Sequence, residues 1–259
     1  MSSLDSRRHA GVAANANAAR WSADDDAWRG YKRVGDRLVL EDRVARTLAL
    51  AIPRPGGAYL DVGCGPGVLT KLFADRIGAA RVAGVDQLDR GSGLEFRAFN
   101  LDERAALPFE DASFDVVSCL ETLEHVHDTD HLVGEIRRVL KPNGYALMSV
   151  PRLDGLLSIL MLTAGVQPPA VECSLRRRYG APGEPDRVSG HVSHFTRRAL
   201  SSLLHANGFE VDASAQASIY SGWLFAQERP SPWVRIPLWL LSRLPFKQDD
   251  LIVRVRPRL

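Results

Sequence analysis

The spacing of apolar residues changes period several times along the chain, and each change marks an element. From Asp36 the pattern is helical: Leu40, Val44 and Leu48 recur every four residues until Pro53 ends the run. A turn at Pro55-Gly56-Gly57 leads into Ala58–Val62, a short apolar run that predicts a buried strand. Val68–Ile77 returns to helical spacing, with Leu69, Leu72, Phe73 and Ile77 on one face and Gly78 just past its end. Arg81–Val85, Leu94–Phe99 and Phe114–Cys119 predict three further strands. Asp130–Leu140 predicts a helix with Leu132, Ile136, Val139 and Leu140 inward. Lys141–Gly144 reads as a turn and Tyr145–Val150 as the fifth strand. Strands alternating with helices predict an α/β fold with a doubly wound, mostly parallel sheet. Ligands of such sheets bind beyond the carboxyl ends of the strands, where the strand order reverses.

After Pro151 the rhythm breaks. An apolar stretch at Leu156–Val166 reads either as a lid helix with an apolar inner face or as core packing, and a Pro-, Gly- and Arg-rich loop with Arg176-Arg177-Arg178 follows. Thr196 caps a helix with Leu200, Leu203 and Leu204 inward, and Gly208 follows its end. Phe209–Tyr220 and Leu251–Val255 are the last two of seven predicted strands. Between them Trp233, Ile236, Leu238, Trp239, Leu240 and Leu241, flanked by Arg235 and Arg243, read as sheet or dimer packing or as an interfacial segment. The expected organisation is a mobile tail at 1–20 and a single domain at 21–259, with insertions at about 152–190 and 229–248. Asp24, Asp25 and Asp26 read as a solvated helix start.

Composition narrows the class. Of 259 residues, 45% are hydrophobic and 25% charged, which excludes a disordered or collagen-like chain. The net charge is +2, so no bulk field favours nucleic acid, and no DNA partner is expected. Cys64, Cys119 and Cys173 form no CxxC pair, which excludes a disulfide scaffold and a zinc ribbon and fits a reducing compartment. No apolar run reaches membrane-spanning length, and the first twenty residues lack the apolar region of a signal peptide. A cytoplasmic location is expected, with peripheral membrane contact through 232–246 as an addition.

The chemistry starts between the first predicted strand and its helix, at Asp61-Val62-Gly63-Cys64-Gly65-Pro66-Gly67. Gly63 and Gly65 lack a Cβ, so the backbone turns sharply and a ligand can lie against it. Free amides at the helix start are expected to face that ligand. A dinucleotide loop is GxGxxG, but here the third glycine comes one residue early, and the Lys-Ser/Thr of a phosphate loop is missing. Both departures weigh against NAD and ATP.

This segment resembles motif I of the class I S-adenosylmethionine (SAM)-dependent methyltransferases, whose fold is a seven-stranded, Rossmann-like sheet. Later segments keep step with that family: VAGVD ending in Asp86, Asn100-Leu101-Asp102, LPFEDASFDVVSCLETLEHV, RRVLKPNGYALMSVP and HFTRRALSSLLHANGF. The resemblance implies SAM as cofactor, held by Asp61, Gly63, Cys64, Gly65 and Gly67 in the loop. Beyond it, Asp86 would accept from the ribose hydroxyls, with Gln87 beside it, and Leu120 would close the site. The adenine contact stays open between Asn100, by strand position, and Asp102, by residue type, with Leu101 between them.

Glu121-Thr122-Leu123-Glu124-His125 follows the fourth strand, where the methyl group is to be transferred. His125 suits a general base because its ordinary pKa lies near neutrality. The ExxEH segment resembles that of the ubiquinone-biosynthesis O-methyltransferases and the small-RNA 2′-O-methyltransferases. That resemblance implies a divalent metal, Mg²⁺ or a transition metal, held by Glu121, Glu124, His125 and His191. Glu124, His125 and His191 would then carry the catalysis. The same segment also reads as packing that orients its helix, as in metal-free relatives. The leading expectation is methyl transfer to a small, lipophilic hydroxylated acceptor. An RNA 2′-O-methyltransferase and a non-catalytic SAM-binding protein are the alternatives. His127, His131 and His205 read as surface residues, and His194 as structural or as lining the pocket.

Overall fold

The computed structural model describes residues 31–34, 37–168, 170–177, 179–180, 188–217 and 249–258. The tail at 1–20, Asp24–Asp26 and the insertion at 229–248 with its tryptophan segment lie outside the described residues.

Strands β1 (Tyr31–Val34) and β2 (Arg37–Leu40) pair antiparallel in a small sheet of their own, and helix α1 spans Asp42–Leu50. This corrects the helix read from Asp36. The fourfold spacing ran across a boundary, because Leu40 closes β2 while Val44 and Leu48 belong to α1.

The main sheet has seven strands: β3 (Ala58–Val62), β4 (Arg81–Asp86), β5 (Glu95–Ala98), β6 (Phe114–Leu120), β7 (Leu140–Pro151), β8 (Phe209–Ala217) and β9 (Asp250–Pro257). Their spatial order is β5-β4-β3-β6-β7-β9-β8. The pairs from β5 across to β7 are parallel, and β9 runs antiparallel to both β7 and β8. The order reverses between β3 and β6, so the loops after these two strands border the crevice.

Helix α2 (Val68–Ile77) covers one face, where Tyr59, Phe73, Ile77, Val116, Tyr145 and Leu147 form a buried cluster. Its buried stripe is Thr70, Phe73, Ala74 and Ile77, whereas Leu69 and Leu72 are half-buried. Helices α3 (Thr129–Val139) and α5 (Arg197–Ala206) cover the other face, packing Ile136, Leu200 and Leu204 against Leu60, Val117 and Met148. Thr196 caps α5 by accepting from the Ala199 amide.

The turn expected at Lys141–Gly144 lies inside β7. Phe114 pairs with Leu140 but Val116 pairs with Tyr145, so the extra residues bulge out of register. Gly144 sits where a Cβ would come within 2.8 Å of the Asp115 carbonyl. Helix α4 (Leu156–Thr163) ends earlier than the expected Val166. Six of its eight residues are apolar, yet Ser158 alone is buried; Ile159, Leu160 and Leu162 are 38%, 52% and 49% exposed.

Candidate functional site

The glycine loop joins the end of β3 to α2, at the point where the strand order reverses. Gly63 has φ +77°, and a Cβ there would collide with the side chain of Thr122. The loop therefore packs directly on the segment that follows β6, which ties the two halves of the crevice together. The amides of Gly63 and Cys64 donate to the Val85 carbonyl, at 2.8 and 3.1 Å, and that of Gly67 to Cys64 at 2.9 Å. The Gly65 amide donates to Asp86 Oδ2 at 2.9 Å. These four amides hold the loop to β4 and to itself, so they are not the free donors the sequence suggested.

Asp61 lies beneath the loop and is 6% exposed. Its Oδ2 accepts from Thr70 Oγ1 and its Oδ1 from Ser118 Oγ, both at 2.5 Å, and Ser118 also shares a hydrogen with the Tyr59 hydroxyl at 2.7 Å. Burial pushes the Asp61 carboxyl up to about 6 in spite of these donors. Cys64 is buried beside it, which pushes its thiol upward.

At the end of β4, Asp86 Oδ1 accepts from the Gln87 amide at 2.7 Å, and Gln87 Nε2 donates to Asn100 Oδ1 at 3.2 Å. The Asp102 amide donates to the same Asn100 oxygen, but the Asp102 carboxylate turns away and accepts from the His127 amide at 2.9 Å. Asp86, Gln87 and Asn100 thus form one continuous row. Leu101 packs against the core under α3 and Leu120 against the core under α2.

The second half of the crevice begins where β6 ends. Glu121 takes φ +50°, its amide donates to the Ser149 carbonyl at 3.1 Å, and a 3-10 turn follows at Leu123–His125. The turn carries Glu124 inward to 1% exposure. Neither carboxylate oxygen of Glu124 has a hydrogen-bond partner. Burial, with the Glu121 charge added, pushes its carboxyl well above the usual range. Its main-chain carbonyl accepts from the amides of Val192 and Ser193 at 2.8 and 3.0 Å, which lays the segment after His191 against it.

Two imidazoles approach Glu124. His125 Nε2 lies 3.9 Å and His191 Nε2 4.0 Å from Glu124 Oε1, and the ring centroids are 4.9 Å apart. His125 Nδ1 meets the Gly190 carbonyl at 3.1 Å and His191 Nδ1 meets the Ala170 carbonyl at 3.0 Å. A carbonyl only accepts, so each ring donates from Nδ1, and in its neutral form leaves the lone pair on Nε2. Burial, reinforced by His191, holds His125 down to about 4, so it is neutral at neutral pH. Ligand atoms from Glu124, His125 and His191 all fall within 4.8 Å of one another.

Glu121 is not in this group. Its Oε1 accepts from Ser149 Oγ at 2.7 Å and lies 3.8 Å from Arg43 Nη1. Residues that the sequence did not single out surround it. The Arg43 guanidinium of α1 also lies 3.4 Å from Glu41, and Asp250 of β9 is buried with Oδ1 unpartnered. Burial, with Glu121 nearby, pushes the Asp250 carboxyl well up. The available signal was a charged residue next to buried apolar ones, Arg43 before Val44 and Asp250 before Leu251. His194 lines a small cleft together with Glu124, Leu153, Val171, His191 and Phe195. His127 and His205 are exposed and His131 is half-buried.

Comparison with known proteins places the chain in a family. A family profile described as "Methyltransferase domain" matches residues 33–214. The ubiquinone biosynthesis O-methyltransferase of Pseudomonas paraeruginosa is 36% identical over 107 residues, which is 36% of this chain and 44% of that protein. The match thus spans less than half of that relative's length. Among solved structures, a chain of the complex between the Haloferax volcanii Trm112 methyltransferase activator and its methyltransferase superposes with a TM-score of 0.59 at 18% identity, covering 85% of this chain and 92% of that one. An S-adenosylmethionine-dependent methyltransferase from Mesorhizobium loti gives 0.53 at 19% identity, covering 82% and 96%. At such identities these two structures show the fold.

Proposed function

The chain belongs to the methyltransferase-domain family, the S-adenosylmethionine-dependent methyltransferases, and from that membership we propose that it methylates a hydroxyl of a small, lipophilic acceptor. The observation that carries this reading is Glu124: a buried carboxylate with both oxygens unpartnered, faced by two imidazole lone pairs. Such an orphan is costly unless a ligand completes it.

SAM, when bound, supplies a methyl group on a positively charged sulfur. The glycines of the Gly63–Gly67 loop provide bare backbone for it, and the hydrogen bonds that tie the loop to β4 and to itself keep that surface rigid. Asp86 has lone pairs left beyond its two amide donors and takes the ribose hydroxyls. Asn100, in line with Gln87, takes the adenine edge, and Asp102 is committed to His127.

The donor set of Glu124, His125 and His191 fits a divalent cation. Two nitrogens and one carboxylate suit a transition metal better than Mg²⁺. When bound, the metal supplies acidification of a hydroxyl coordinated to it. Glu121 stands outside as the partner of Ser149 and Arg43. The resulting enzyme holds the acceptor oxygen in line with the methyl, which supplies most of what an in-line displacement needs.

The 152–190 insertion is the lid of this site, and the single domain extends over 21–259. Exposed Ile159, Leu160 and Leu162 on α4 give the lid an apolar surface that suits a lipophilic acceptor. Among the described residues no helix is long and apolar enough to cross a membrane. Peripheral membrane contact through 232–246 is part of the same proposal.

Incubation with methyl-labelled SAM and cell extract, with and without EDTA, tests the proposal. Label entering the organic phase and lost in EDTA is the expected result. Label in RNA would transfer the reading to a 2′-O-methyltransferase. Full labelling in EDTA would leave His125 as a simple base.

A further inference from the structure

The segment that leaves at Ala170 and returns at Gly190 carries, at its two ends, both carbonyls on which the histidines rest. We infer that Glu172, an unremarked residue of this loop, is the positioning residue for His125 and His191; the inference rests on the metal-binding reading of that group.

The Glu172 carboxylate gathers three successive main-chain amides. Oε1 accepts from Ser189 at 2.5 Å, and Oε2 accepts from Gly190 at 2.6 Å and from His191 at 3.1 Å. Consecutive amides converging on one anion form a nest, and charge-assisted bonds of this kind are among the strongest a loop can make. They close a stretch of chain 17 to 19 residues long at its base.

The consequence for the histidines follows from the planarity of one peptide. The Gly190–His191 peptide is trans, so its N–H and its C=O point in opposite directions. Glu172 grips the N–H side. The C=O side is the Gly190 oxygen that receives His125 Nδ1. Holding the amide aims the carbonyl. Gly190 takes φ +89°, which this placement of the peptide requires and which other residues rarely adopt. The second histidine is fixed from the same base. The His191 backbone is held by Glu172, and its Nδ1 rests on the carbonyl of Ala170, two residues before Glu172. Both Nδ1 protons are therefore placed by one carboxylate acting through the main chain, and both Nε2 lone pairs are turned toward Glu124. Outer partners of this type fix ligand tautomer and orientation, and their loss costs about 10–100-fold in metal affinity.

Two readouts on the full chain test this. In the metal-free protein, nitrogen NMR of the imidazoles should show Nδ1–H for both His125 and His191. In Glu172→Ala the two rings should become mixtures, with Glu172→Gln between, since it keeps one accepting oxygen and guards against loss of the fold. Titration with Co²⁺ alone, followed by its visible absorption, should then give affinities reduced about 10–100-fold in Glu172→Ala. His191→Ala should lose the absorption. Unchanged tautomers and unchanged Co²⁺ affinity in both Glu172 variants would overturn the inference. Tautomers that shift in the Glu172 variants, while the wild-type chain takes up no Co²⁺, would overturn the metal reading and uphold the positioning.

Discussion

Two carboxylates are buried on the two sides of the crevice, and their surroundings are opposite. Asp61, under the glycine loop, receives a hydroxyl donor on each oxygen and sits in a chain of hydrogen bonds from Tyr59 to Thr70. Glu124, after β6, is buried more deeply and receives none. The first acid is finished within the protein and serves as framework for the loop above it. The second is held ready by its main chain, with both carboxyl oxygens left for something from outside. A buried acid alone therefore says little about function, whereas the state of its hydrogen bonds separates support from chemistry.

The largest test of this contrast is Glu124→Leu. Turnover should fall by on the order of 10³-fold or more, a loss of the size seen when a catalytic acid–base group is removed. At the same time the metal-free protein should unfold at a higher temperature, because an unpartnered buried carboxylate has been removed. A lower melting temperature would class Glu124 with Asp61.

Asp61→Ala should do the reverse. It removes two charge-assisted hydrogen bonds and should cost about 2–4 kcal/mol in urea unfolding. A cost near zero would show that the Thr70–Asp61–Ser118 network is not the support of the loop.

The pH dependence sharpens the same point. Asp61 titrates at about 6 when folded against 3.8 ordinarily, so between those values the folded protein binds the proton more tightly. Its contribution is fully present below 3.8 and is lost as pH rises to about 6, by at most about 3 kcal/mol. Urea midpoints of the wild type and Asp61→Asn, compared from pH 4 to 7, should diverge over that interval and run parallel above it. The smallest effect is expected on the adenine side. Asn100→Ala should weaken SAM binding by roughly tenfold, as for one lost hydrogen bond, whereas Asp102→Ala should leave it unchanged. Isothermal titration distinguishes the two.

Much of the loop side was legible in the sequence, and less of the transfer side. Val68–Ile77 and Ala58–Val62 were readable to the residue because local spacing and flanking glycines set them. The Glu124, His125 and His191 group was also anticipated, but through resemblance. Its arrangement was not, since Glu121 is drawn off by Ser149 of β7, a partner 28 residues away. Glu172 and Asp250 went unread for the same reason. Nothing near Glu172 in sequence marks it, and its partners lie 17 to 19 residues further on. The β1–β2 pair was missed because Leu40 happened to continue the spacing of the helix after it.

The strand order also sets a timetable. β8 comes earlier in the chain than β9, yet among the described residues β9 is its sole neighbour in the main sheet and the strand that joins it to β7. While the polypeptide is being synthesised, β8 emerges from the ribosome with no strand to pair with. It must wait for Asp250–Pro257, holding an open edge of the kind that invites association between nascent chains. β3, β4, β5, β6 and β7, by contrast, can pair with one another before β8 or β9 is made. The glycine loop can thus take shape on the ribosome well before Asp250 joins Glu121 and Arg43.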